Sequence, residues 1–143
     1  MPSVATIDGS GVITPVTTSA LSEVTDIEYT LTTGCRAVNT VTIDPLPTVY
    51  NLASKFGPTN YCAGGTGIEL EMNASTIDVD YVLWNGTSNM GSVPGTGGAF
   101  TFGLQTLAGT YNVVATNSIS GCASNMSGNP TITIDCFTAI GLL

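Results

Sequence analysis

A strand–turn–strand pattern occurs twice in this chain, and it restricts the fold more than any other feature. The first copy, Ile27 to Asp44, reads IEYTLTTGCRAVNTVTID; the second, Gly109 to Asp135, reads GTYNVVATNSISGCASNMSGNPTITID. Each runs from a tyrosine-bearing strand through a Gly-Cys turn (Gly34-Cys35, Gly121-Cys122) into an alternating strand that ends Thr-Ile-Asp. A unit that recurs within one chain signals a tandem array of building blocks, not a set of separate enzymes. The expectation is a structural or adhesive surface protein.

Period-two alternation and abundant β-branched residues extend this pattern along the chain, and no window reads as an amphipathic helix; Ser19–Val24 holds one turn at most. Strands are predicted at Val4–Ile7, Gly11–Thr14, Asp26–Thr32, Val38–Ile43, Thr48–Ala53, Ile68–Asn73, Asp80–Trp84, Ala99–Phe102, Thr110–Thr116 and Thr131–Ile134. Turn signals separate them, among them Asp8-Gly9, Asn85-Gly86, Pro94-Gly95 and Asn129-Pro130. Many short strands at this spacing predict an all-β antiparallel sandwich. Asp44-Pro45-Leu46-Pro47 reads as a short, semi-rigid joint. Residues 48–136 supply enough strands for one complete sandwich, whereas residues 1–44 supply only part of one and would expose an apolar face if they stood alone.

Composition removes several classes of function. Hydrophobic residues make up 43% of the 143 residues and charged residues only 8%, against roughly 25% charged in an average globular protein. Such a chain folds, because disorder pairs low hydrophobicity with high charge. Two basic residues, Arg36 and Lys55, face ten acidic ones for a net charge of −8. That excludes nucleic-acid partners, which need clustered cations on their phosphates. No stretch is apolar for long enough to span a membrane as a helix, so no membrane insertion is expected. The start, Met1-Pro2-Ser3, lacks the features of an export signal, and the expectation is a mature product or an excised fragment.

The chain contains no histidine, so neither a Ser-His nor a Cys-His nucleophile can be assembled. Gly64-Gly65-Thr66-Gly67 lacks the lysine and helix of a phosphate-cradling loop. Glu69 with Glu71, and Asp78 with Asp80, each fall on one face of an extended segment. Solvated strand faces are the expected reading, with calcium as the alternative; a glycosidase would need two carboxylates aimed across a cleft. The chain is expected to be no enzyme and to need no cofactor.

Four cysteines, Cys35, Cys62, Cys122 and Cys136, include no CxxC pair, and the commonest zinc partner is missing. They read as disulfide candidates in an oxidising compartment, the alternative being reduced thiols acting as small hydrophobes. The apolar, uncharged end Phe137-Thr138-Ala139-Ile140-Gly141-Leu142-Leu143 either leads into a further domain or donates a strand to a neighbouring molecule, with Phe137, Ile140, Leu142 and Leu143 as its anchors. Tyr81 and Trp84 are three apart and face opposite sides of a strand. One belongs to the core, and the other, beside Asn85, is a candidate to stack on a sugar. Tyr111 is expected at the start of a central strand with its hydroxyl on nearby backbone.

Leu46-Pro47-Thr48-Val49-Tyr50, Tyr61-Cys62-Ala63-Gly64-Gly65-Thr66-Gly67, Pro94-Gly95-Thr96-Gly97, Phe102-Gly103, Gly109-Thr110-Tyr111 and Gly121-Cys122 occur in this order. Together they resemble the tandem Ig-like (PKD-like) repeats of large Bacteroidetes-type surface adhesins, such as the SprB-type gliding adhesins exported by the type IX system. The likeness covers residues 46–135. Val4–Thr14 is similar to the C-terminal half of bacterial Ig-like domains. After Asp135 the chain departs from the repeat, with Cys136-Phe137 where a proline-rich linker is usual.

The resemblance implies one complete Ig-like domain preceded by a partial Ig-like unit, displayed extracellularly at a cell surface and partnered by neighbouring repeats, identical subunits or surface glycans. In an Ig-like topology it also favours Cys62–Cys136, closing a loop of about 75 residues and contributing about 3–4 kcal/mol. Cys35 and Cys122 would then look to neighbouring units; Cys62–Cys122 is the rival pairing. The function implied is a non-catalytic structural and adhesive repeat module. The alternatives are a fibre subunit polymerising by strand exchange and a carbohydrate-binding module of a secreted enzyme.

Overall fold

A computed structural model describes residues 5–15 and 22–135. Among these residues every regular element is a strand. The chain divides into two compact units, Met1–Leu46 and Pro47–Leu143.

The first unit contains two hairpins. Strands β1 (Ala5–Ile7) and β2 (Ile13–Pro15) pair antiparallel, as do β3 (Glu23–Thr30) and β4 (Arg36–Ile43). The β3–β4 register puts Glu23, Thr25, Ile27, Tyr29, Ala37, Asn39, Val41 and Ile43 on one, mixed face and Val24, Asp26, Glu28, Thr30, Arg36, Val38, Thr40 and Thr42 on the other, because strand side chains alternate. Cross-strand polar pairs tie the second face. Thr40 Oγ1 donates to Asp26 at 3.0 Å, and the Arg36 guanidinium pairs with Glu28 and holds its carboxyl below the usual carboxylate range. On the first face Tyr29 is 65% exposed and the adjoining Leu31 48%.

The second unit has two sheets packed face to face. The smaller runs β10 (Phe100–Gln105), β7 (Ile68–Met72), β5 (Leu52–Ser54). The larger runs β6 (Asn60–Cys62), β13 (Thr131–Asp135), β11 (Gly109–Asn117), β8 (Val79–Asn85), β9 (Ser88–Pro94), with β12 (Ala123–Asn125) also on β11. Their inward residues form the core: Leu52, Ile68, Leu70 and Met72 from one sheet, and Val79, Tyr81, Leu83, Tyr111, Val113, Ala115 and Ile132 from the other. Burying such side chains contributes about 1.5–3 kcal/mol each for the larger aliphatic and aromatic ones. Tyr81 and Phe100 join the two layers through a tilted ring contact at 5.3 Å.

The sequence repeat corresponds to a recurring hairpin turn. Leu31 N–H donates to Cys35 O at 2.8 Å, and Asn117 N–H donates to Cys122 O at 2.9 Å. Gly34 (φ 85°) and Gly121 (φ 74°) occupy the left-handed position just before the cysteine, where a side chain would strain the backbone. Superposing the turns equates Leu31 with Asn117, hence Tyr29 with Ala115 and Thr25 with Tyr111. The two tyrosines that announce the repeat are therefore not equivalent, because Tyr29 lies two residues before its turn and Tyr111 six before its own. What recurs is the turn and the sidedness: the face of β11 that is buried in the second unit corresponds to the Thr25, Ile27 and Tyr29 face of β3.

Three strands escape the sequence pattern. β9 carries its half-buried residues at Met90 and Val93, out of period two, because a bulge shifts its register against β8 between Leu83 and Trp84. β6 and β12 have three residues each. The Asn85-Gly86 dipeptide marks the β8–β9 hairpin and is the signal from which β9 is recoverable.

Candidate functional site

The residues singled out by sequence separate into four places. Tyr81 is fully buried and Trp84 half-buried on the outward face of the large sheet, so the expected division of the two aromatics between core and surface holds. Asn85 does not accompany Trp84. It follows the inward parity of Tyr81 and Leu83, and its Nδ2 donates to Ala108 O at 3.1 Å. A Cβ on Gly109 would lie 2.1 Å from its Oδ1, so Asn85 acts as a brace for the loop entering β11.

The true neighbours of Trp84 come from the adjacent strands. Register places Asn89 of β9 and Asn112 of β11 directly opposite it, one on each side. The next row is Ser92, Val82, Val114 and Asn125, and the one after is Pro94, Asp80, Thr116 and Ala123. Beyond Asn112, the Thr110 and Thr131 hydroxyls meet at 2.9 Å. Asp80 is the sole charge in these rows. Asn112 and Asn89 are far from Trp84 in sequence, and only strand pairing reveals them.

Tyr111 takes the place expected of it. It is fully buried at the start of β11, and its hydroxyl donates to Leu107 O at 2.8 Å. Burial pushes the phenol above its ordinary value, against the opposing hydrogen bonds to Asn85 and Leu107. The neutral, donating form is thus the native one.

The acidic pairs form no ion cage. Glu69 and Glu71 share the Lys55 ammonium at 3.5 and 3.8 Å. Asp78 is not in an extended segment as expected; it sits in the turn before β8 at φ 62°, where its carbonyl accepts from Ser118 N–H and Oγ. Among the described residues no cluster of three or more acidic or cysteine side chains could hold a metal ion, and no helix is long and apolar enough to cross a membrane.

No disulfide joins Cys35, Cys62 and Cys122 to one another, so the rival Cys62–Cys122 bond is not formed. Cys136 and the proposed donor residues Phe137, Ile140, Leu142 and Leu143 lie outside the described residues. Cys62 pairs in register with Asp135, the residue that precedes Cys136.

The fourth place was not anticipated from sequence. The segment entering the second unit and the strand leaving it are each bonded in parallel. Asn51 bridges Ser127 in parallel, with Leu52 N–H donating to Ser127 O at 2.8 Å and Ser127 N–H to Tyr50 O at 2.9 Å. β6 pairs in parallel with β13, with Thr133 N–H on Thr59 O at 3.0 Å and Ala63 N–H on Asp135 O at 3.1 Å. Side chains add two bonds: Asn60 Nδ2 to Asp135 at 2.7 Å, and Ser127 Oγ to Tyr50 O at 3.0 Å. No protein-family model matches this chain, and no curated protein matches it.

Proposed function

We propose that the chain is a non-catalytic, load-bearing and adhesive module of an extracellular cell-surface array, its second unit an Ig-like sandwich. The observation that carries this reading is the parallel clamp. Force applied along the chain draws Tyr50–Leu52 back toward the N-terminus and β13 forward toward the C-terminus. Parallel partners then slide past each other, so their hydrogen bonds are strained together instead of opening one after another as in an unzipping hairpin. Each bond contributes only about 0.5–1.5 kcal/mol net, and loading them in concert is what raises the barrier to unfolding, the quantity that sets mechanical lifetime. Low charge and short polar side chains suit a repeated, exposed surface.

A second reading, strand exchange between identical copies, is favoured by the exposed Tyr29 and Leu31 at the turn end of β3–β4, on the face whose counterpart in the second unit is covered by a sheet. Electron microscopy of native material tests the array. The expected result is extended filaments with a regular axial repeat; discrete particles of single-chain size would contradict it. Loss of the filaments on deleting Phe137–Leu143 would favour exchange.

A further inference from the structure

We propose that the outward face around Trp84 binds a neutral polysaccharide, with the indole stacked on a sugar ring and Asn89 and Asn112 hydrogen-bonding its hydroxyls. The inference deepens the adhesive reading and rests on it, since it names what the module adheres to. Three observations converge on it.

The first is placement. Asn89, Trp84 and Asn112 form one row across three neighbouring strands. Strand spacing puts them about 5 Å apart, or roughly 10 Å from amide to amide, the scale of a short saccharide segment lying across the sheet.

The second is chemistry. A sugar ring offers a C–H face to an aromatic plane and hydroxyls to donors and acceptors at its edge, and Trp supplies the apolar body and N–H such a ligand needs. Side-chain amides donate and accept at once, which matches hydroxyls. Val82 and Val114 extend the apolar strip beside the indole. The rows contain no cation and the chain carries a net charge of −8, so acidic polysaccharides and phosphates are repelled. That leaves a neutral glycan.

The third is vacancy of bonding. No partner among the described residues bonds the Trp84 Nε1–H or the Asn112 amide, and since no buried side-chain polar atom lacks a partner, both reach solvent. Asn89 keeps only its Nδ2 for a ligand, because its Oδ1 accepts from Gly91 N–H at 2.8 Å. An open sheet face that is merely solvated alternates polar side chains outward. This one places an aromatic and two valines there, between an open amide at Asn112 and a donor at Asn89.

A single platform of this kind binds weakly, and repetition along an array raises its avidity without new contacts. The chain has one tryptophan, so its emission reports on this face alone. The full chain would be titrated with cellohexaose, mannohexaose and chitohexaose, and with oligogalacturonate as the acidic arm. The expected result is a saturable emission change with at least one neutral hexasaccharide and none with oligogalacturonate. Asn112→Ala, which keeps the reporter, should weaken binding about fivefold. By calorimetry Trp84→Ala should abolish it, and Trp84→Tyr should restore part of it, which a purely structural role would not explain. Absence of a saturable change with all three neutral sugars up to about 10 mM would overturn the proposal, as would binding of the acidic sugar alone or affinity unchanged in Asn112→Ala and Trp84→Ala. A failure here leaves the load-bearing role standing, because that role is read by extension and not by ligand.

Discussion

Replacing Gly95 with alanine should cost about 3 kcal/mol or more of folding stability, a large share of the roughly 5–15 kcal/mol available to a domain. An added Cβ would fall 1.8 Å from Thr76 O and 3.0 Å from Val79 O. Neither oxygen is free to retreat. Gly95 N–H is itself bonded to Val79 O at 2.8 Å, and Thr76 N–H is bonded to the Tyr81 hydroxyl at 2.9 Å. The buried Ser75 donates to Gly98 O at 2.6 Å and accepts from Thr96 N–H at 3.0 Å. The two loops are therefore locked to each other on both sides of the collision. Gly98→Ala, three residues on, meets nothing within 4 Å and should change stability by no more than about 0.5 kcal/mol. Urea denaturation of the two variants checks both; equal midpoints would refute the interlocked loops.

Tyr81→Ala should destabilise the second unit by about 3–5 kcal/mol. The side chain is fully buried and packs its ring on Phe100, which in turn stacks edge-on against Phe102 at 5.1 Å. Truncation opens a cavity between the sheets and leaves Thr76 N–H without its acceptor. Tyr81→Phe separates the two contributions: it keeps the ring and removes the oxygen, and should cost about 1–3 kcal/mol for the unpaired donor. Denaturant midpoints for the pair give the split. A Phe variant as damaged as the Ala variant would mean that the hydrogen bond, not packing, dominates at this position.

Strands whose faces differ in polarity were legible from sequence. β7, β8 and β11 alternate without interruption, and the parity of Tyr81 and Trp84 followed directly. Which of the two points inward did not, because that depends on where the smaller sheet lies. β9 was hidden by its bulge, which moves Met90 and Val93 out of phase, and β6 by a brevity that only parallel pairing with β13 sustains. The repeat was visible, yet its tyrosines misalign by four residues, two periods of the alternation, because they sit at different distances from the turn. Asn85 looked like a companion of Trp84 because it is adjacent in the chain, whereas Asn89 and Asn112 are adjacent in the sheet. Non-local pairing also built the parallel clamp, and no local pattern in Tyr50–Leu52 or in β13 announces it.

The most direct test of the load-bearing account is single-molecule extension of a tandem polyprotein of the 143-residue chain. Shear of the parallel clamp predicts sharp, cooperative rupture events. Thr133→Pro removes the N–H that bonds Thr59 O. It should lower the rupture force clearly; the lost bond alone is worth about 1 kcal/mol at equilibrium, and the ring in this inner strand adds to that cost. Gradual extension at low force, or a rupture force unmoved by Thr133→Pro, would contradict a clamp at the ends of the second unit.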